Sequence, residues 1–169
     1  MTGEATDGVR EHGDHLIWIN HLGFLPSGPD IGVSYEERGT ALRIEPATSA
    51  ETPEGSFVER VVEVPPGYVI KGVRLGYRLS APSSFISQIR LRQLGDPPDR
   101  WLVVLDDPTD HLDPGPICVD SAAPFAGAVD PGAGALSLGL RVHFADAGDR
   151  IVLHGVGLRV STNGSAGGG

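Results

Sequence analysis

The sequence predicts an all-β fold: a single-domain antiparallel β-sandwich, jelly-roll-like, of about nine strands with flexible termini. Three observations predict it. Apolar residues recur at every second position in several segments, the repeat of a strand with one buried face. The 24 glycines and 14 prolines make up more than a fifth of the chain, and both break helices. No segment carries a helical period.

Residues 1–14 lack periodic apolar positions and read as a flexible segment ahead of a β-sandwich domain at 15–160. "LIWINHLGF", "VSYEE" and "ALRIE" supply short strands. In "FVERVVEVPPG", Val58, Val62 and Val64 share one parity. Ser56 with Glu59 spells a helix capping box there, but the valines and the stop at Pro65-Pro66 favour strand. "GYVIKGVRLGYRLS" puts Val69, Val73, Leu75, Tyr77 and Leu79 on one face, and "SFISQIRLRQL" does the same with Phe85, Ile89 and Leu91. "APSS" between them reads as the turn of a hairpin. "WLVVLDD" is continuously apolar, as in a strand covered on both sides, and "GPICVDS" is a further short strand. In "ALSLGLRVHF", Leu136, Leu138, Leu140, Val142 and Phe144 alternate with polar or small residues. The turn "ADAGD" leads to "RIVLHGVGLRV", which predicts a closing hairpin. Residues 161–169 read as a flexible Gly/Ser tail.

The string "VPPGYVIKGVRLGYRLS" resembles the strand-turn-strand rhythm of carbohydrate-binding and fibre-head jelly rolls. The resemblance implies the architecture and assigns no site residues.

The chain of 169 residues suits one domain with a proper core. Its net charge of −9 excludes duplex nucleic acid and anionic membrane as partners, because both repel an acidic protein. The N-terminus is polar and acidic, the opposite of a signal peptide, and no apolar run approaches the roughly 18 residues of a membrane helix. Cys118 is the only cysteine, which rules out an intrachain disulfide and a thiolate zinc site and fits a cytoplasmic protein. Flanked by Ile117 and Val119, it reads as a small core hydrophobe.

Candidate chemistry gathers in two places. Between Lys71 and Arg100 stand Arg74, Arg78, Arg90 and Arg92, with only Asp96 and Asp99 against them. If the two strands around "APSS" pair, these four arginines share one sheet face and form the candidate binding surface. Like charges facing each other across strands are unfavourable, so something compensates. That is either Glu59 and Glu63 on the preceding strand, or an anionic partner held by bidentate guanidinium contacts: an acidic protein surface, or a sulfated or carboxylated glycan. The second place is "DDPTDHLDPG". Asp106, Asp107, Asp110 and Asp113 are the candidate metal ligands, for calcium. Counting from Asp106, an EF-hand would want a ligand at Pro108 and glycine at His111, so a solvated turn is the preferred reading.

His12, Asp14, His15 and His21 could ligate a metal but read as exposed or strand-edge groups. His143 lies on a polar face, and His154 has apolar parity and reads as buried and neutral. Trp18, Trp101, Tyr35, Tyr68 and Tyr77 read mostly as core. G-x-S-x-G, H-E-x-x-H and Walker motifs are all missing from the sequence.

The leading expectation is a non-enzymatic binding or assembly module without a cofactor, acting through protein–protein contacts, with a protein partner or self-association. The alternative is a carbohydrate-binding module, calcium-dependent and lectin-like if the aspartate loop binds calcium. Third comes a β-sandwich enzyme with a histidine/carboxylate site.

Overall fold

The computed structural model describes residues 14–47, 56–95, 98–122 and 127–162. Eleven strands run through them: β1 (His15–Ile19), β2 (Leu25–Pro26), β3 (Ile31–Tyr35), β4 (Leu42–Pro46), β5 (Phe57–Val62), β6 (Tyr68–Leu79), β7 (Phe85–Leu94), β8 (Trp101–Asp107), β9 (Ile117–Asp120), β10 (Leu136–His143) and β11 (Ile151–Thr162). Three 3₁₀ turns of three residues each complete the regular structure, and the described residues hold no α-helix. The valine-rich segment after Ser56 is strand, so the capping box is unused.

The strands form two antiparallel sheets. The six-stranded sheet runs β3-β4-β11-β6-β9, with β1 paired to the same edge of β11 as β4, further along. The five-stranded sheet runs β2-β5-β10-β7-β8. From β4 to β11 the chain changes sheet at every step except between β7 and β8. The pairs therefore nest, β4 beside β11 and β5 beside β10, which is the jelly-roll order.

Both expected hairpins are corrected by this order. β6 and β7, joined through "APSS", lie in different sheets, as do β10 and β11, joined through "ADAGD". A period of two says which face of a strand is buried but not which sheet the strand enters, and a short link can arch over the edge of a sandwich as readily as turn within a sheet. A third correction concerns "WLVVLDD". β8 is an edge strand bonded only to β7, and Trp101, Leu102 and Val103 are exposed.

The core lies between the sheets. Leu136, Leu138, Leu140 and Val142 of β10, with Phe144 just past its end, are buried as their alternation requires, in one core with Val73, Leu75, Tyr77, Val156 and Leu158 of the other sheet. β11 carries a bulge between Leu153 and Gly155 that inserts His154 and breaks the parity. His154 is consequently exposed, not buried. β11 also runs to Thr162, two residues past the expected end of the domain. The N-terminal segment expected to be flexible, apart from Asp14, and the tail from 163 onward lie outside the described residues, as does His12.

Candidate functional site

The outer face of the six-stranded sheet is built around glycine. Along β11, Gly155 and Gly157 alternate with buried Val156 and Leu158, so the outward positions carry no side chain. Gly76 of β6 pairs with Gly155 on one side and with Cys118 of β9 on the other. Three glycines on two neighbouring strands leave a shallow floor.

Trp18 of β1 stands over that floor. It pairs with Gly157, and a Cβ added at Gly155 or Gly157 would lie 3.2 or 3.3 Å from its ring. The bare backbone of β11 is therefore the seat of the indole, which remains 58% exposed. In the same row across the sheet follow Gly157, Arg74 and Asp120, so Trp18 faces an ion pair across one strand. Arg74 donates twice to Asp120, Nε to Oδ1 at 2.8 Å and Nη2 to Oδ2 at 2.6 Å. This fork fixes both side chains and holds the Asp120 carboxyl below its ordinary range.

Two hollows meet on the glycine floor. One, of about 410 Å³, lies between Trp18, Ile19, His21, Cys118 and His154. The other, of about 380 Å³, continues past Arg78, Pro116 and Ile117. They share Gly76, Cys118 and His154 and form one trough. Partial burial, then the charges of Arg78 and His21, lower the proton affinity of His154, with Glu36 opposing them. His21 is itself held by Nε2 against the Thr40 carbonyl at 3.1 Å.

The four arginines expected to share a face are divided. Arg74 and Arg78 lie on β6, and Arg90 and Arg92 lie on β7 of the other sheet. Arg90 pairs with Asp106 at 3.5 Å, and Arg92 with Glu59 at 2.6 Å, the compensation expected of Glu59. The Arg92 guanidinium also lies over Trp101, 5.8 Å from the ring centroid.

The aspartates of "DDPTDHLDPG" serve different partners. Asp106 accepts from Gln88 Nε2 and Arg90. Asp107, buried at the end of β8, accepts from the Thr109 and Ala122 amides at 3.1 and 3.0 Å. Asp113 accepts from the Gly115 amide at 2.9 Å, and Asp110 is exposed. Among the described residues no three His, Cys, Asp or Glu side chains converge on a point where a metal ion could sit. Nor is the stretch wholly solvated: His111 is buried beside Asp107, its amide bonded to the Ile86 carbonyl at 2.9 Å. Burial pushes Asp107 upward, but hydrogen bonds from Thr109 and Ala122 and the nearby His111 outweigh it and leave the carboxyl below its ordinary value.

Four residues read as core are at the surface. Trp18, Tyr35 and Trp101 are exposed, and Cys118 points outward beside Gly76, while Tyr77 is buried as expected. The parity that Cys118 shares with Asp120 was the signal for its orientation. For Trp18 it was the alternating glycines of "HGVGLRV", a strand face that only a neighbour's side chain can cover.

No protein-family profile and no curated protein matches the chain. Several solved structures are similar to it. A single-residue variant of a family 29 carbohydrate-binding module is 13% identical, covers 87% of this chain and 92% of its own, and has a TM-score of 0.46. A family 29 variant complexed with mannohexaose is 15% identical over 87% of this chain and 92% of its own, with a TM-score of 0.45. The C-terminal family 22 carbohydrate-binding module of Clostridium thermocellum Xyn10B is 12% identical over 91% of this chain and 97% of its own, with a TM-score of 0.49.

Proposed function

We propose that this chain is a non-catalytic carbohydrate-binding module that takes a glycan into the trough on its six-stranded sheet. The observation that carries the proposal is the exposed indole of Trp18, laid on Gly155 and Gly157 and facing the Arg74–Asp120 pair. A pyranose has an apolar C–H face and a rim of hydroxyls. The first stacks on an aromatic plane, and the second exchanges hydrogen bonds with a fixed guanidinium and carboxylate. Because that pair is already oriented, little side-chain entropy is lost when the sugar arrives.

This replaces assembly through protein–protein contacts as the leading reading. The solved structures similar to the chain are named as carbohydrate-binding modules. Independently, the arginines expected to make one assembly face lie on two sheets, and Arg74, Arg90 and Arg92 are engaged with acidic side chains of the chain itself.

Isothermal titration calorimetry with mannohexaose, xylohexaose and acidic oligosaccharides tests the proposal. Binding of at least one glycan that is lost in Trp18→Ala is expected. A glycan array with no binder, or binding indifferent to Trp18→Ala, overturns it.

A further inference from the structure

The charge around the trough is opposite in sign to that of the chain. The protein carries −9 overall. Yet the four strands that form the trough, β1, β6, β9 and β11, hold Lys71, Arg74, Arg78 and Arg159 and one acidic residue, Asp120. Asp120 is engaged by Arg74 on both oxygens. The next strand, β4, adds Arg43, which is matched by Glu36 at 3.4 Å, and Glu45.

Two guanidinium groups are left over. Among the described residues neither Arg78 nor Arg159 has an acidic partner within ion-pair distance. Arg78 is exposed and lines the far end of the trough. Arg159 lies across Gly72, where a Cβ would stand 2.8 Å from its Nη2, and its buried Nε has no hydrogen-bond partner. Its field reaches Asp120. Arg78 and Gly72 occupy the same face of β6 six residues apart, about 20 Å at the usual rise of a strand. Trp18 and the glycine floor lie between.

We infer that the trough is selective for anionic glycans, with Arg78 at its far end and Arg159, outside the hollows on the same sheet face beyond Trp18, receiving carboxylate or sulfate groups of a chain that stacks on Trp18. This rests on the carbohydrate-binding reading and adds the class of sugar. A guanidinium fork matches either anion with two parallel hydrogen bonds, while a neutral sugar would leave both arginines to water. The overall negative charge does not oppose this at contact distance, because at physiological salt charges beyond about 8 Å are largely screened.

The test titrates the full chain with an oligogalacturonate as the carboxylate probe, a carrageenan oligosaccharide as the sulfate probe, and mannohexaose as the neutral one. At physiological salt, at least one anionic probe is expected to bind about tenfold more tightly than mannohexaose, the scale of one charge-assisted contact. That preference should shrink when salt is raised to about 0.5 M. In Arg78→Gln the ratio of anionic to neutral affinity should fall about tenfold, with thermal melting confirming the fold. The two anionic arms separate carboxylate from sulfate recognition. Equal affinity for all three probes, or a preference untouched by Arg78→Gln and Arg159→Gln, overturns the inference and leaves the carbohydrate-binding reading standing. Failure of every probe, with a folded protein, overturns both.

Discussion

The indole of Trp18 rests on Gly155: a Cβ at that glycine would stand 3.2 Å from ring atom Cζ3. The contact joins strands β1 and β11 and fixes the plane that a sugar would meet. Exposed aromatic anchors of this kind dominate binding energy while contributing little to folding. Trp18→Ala should therefore weaken glycan binding by about 2 kcal/mol, roughly thirtyfold, with a small change in Tm. Gly155→Val should lift the ring and weaken binding by a related amount although no sugar-contacting atom is removed. Calorimetry of both variants beside a thermal melt checks the pair.

Cys118 lines both hollows of the trough and is exposed. A glycan seated on the floor should shield it. Alkylation of the single thiol by a maleimide, followed by mass spectrometry, should slow several-fold when saturating glycan is present. An unchanged rate with a bound glycan would place the ligand elsewhere on the molecule.

Leu140 sits fully buried in β10, paired with the buried Val58 and Ile89 on its two sides. Leu140→Asp puts a carboxylate between apolar neighbours of the two adjoining strands, at a cost of several kcal/mol, comparable with the whole stability of a domain. Loss of the cooperative urea transition is the expected result. The conservative Leu140→Val should retain it with a loss of about 1 kcal/mol.

His111 gives the fold a pH dependence. Burial lowers its proton affinity below the ordinary 6.5, with Asp107 and Asp110 opposing. The folded state therefore prefers the neutral ring, while the unfolded chain takes up a proton at about 6.5. Stability from this group is fully present above that pH and is lost as pH falls through the depressed folded value. His154 shifts in the same direction. Urea midpoints should decline between about pH 7 and pH 5, and the decline should be shallower in His111→Gln.

Gly115 has φ of 71°, and a Cβ there would lie 2.6 Å from the Tyr77 carbonyl oxygen and 2.8 Å from the Ile117 amide. The loop needs a residue without a side chain to pass this close to β6. Gly115→Ala should cost more than about 1 kcal/mol, through both the left-handed backbone and the clash. Gly148, whose Cβ would meet nothing within 4 Å, is the control, and chemical denaturation of the two variants measures the difference.

The alternation of Leu136, Leu138 and Leu140 was enough to read the core, because burial acts residue by residue on a pleated strand. The assignment of strands to sheets was not legible. Arg74 and Arg90 sit on neighbouring strands in the sequence, both on outward faces, yet those faces are opposite sides of the sandwich. Nothing local in "APSS" distinguishes an arch from a hairpin. Continuous hydrophobicity misled for β8, since an edge strand can also carry Trp101, Leu102 and Val103 outward. The trough was invisible for a further reason. It depends on a register between β1 and β11, at opposite ends of the chain, and on what glycine lacks.

The nested strand order also governs how the chain must fold. β6 and β11, each twelve residues long, pair along the middle of one sheet, and all of β7 to β10 lies between them in the sequence. Closing so long a loop costs entropy before any contact repays it, and among the described strands only the β3–β4 and β7–β8 pairs join strands adjacent in the chain. Such a topology should fold slowly, on the order of milliseconds to seconds or longer, because most of its contacts wait on the meeting of distant strands rather than on the growth of a local hairpin.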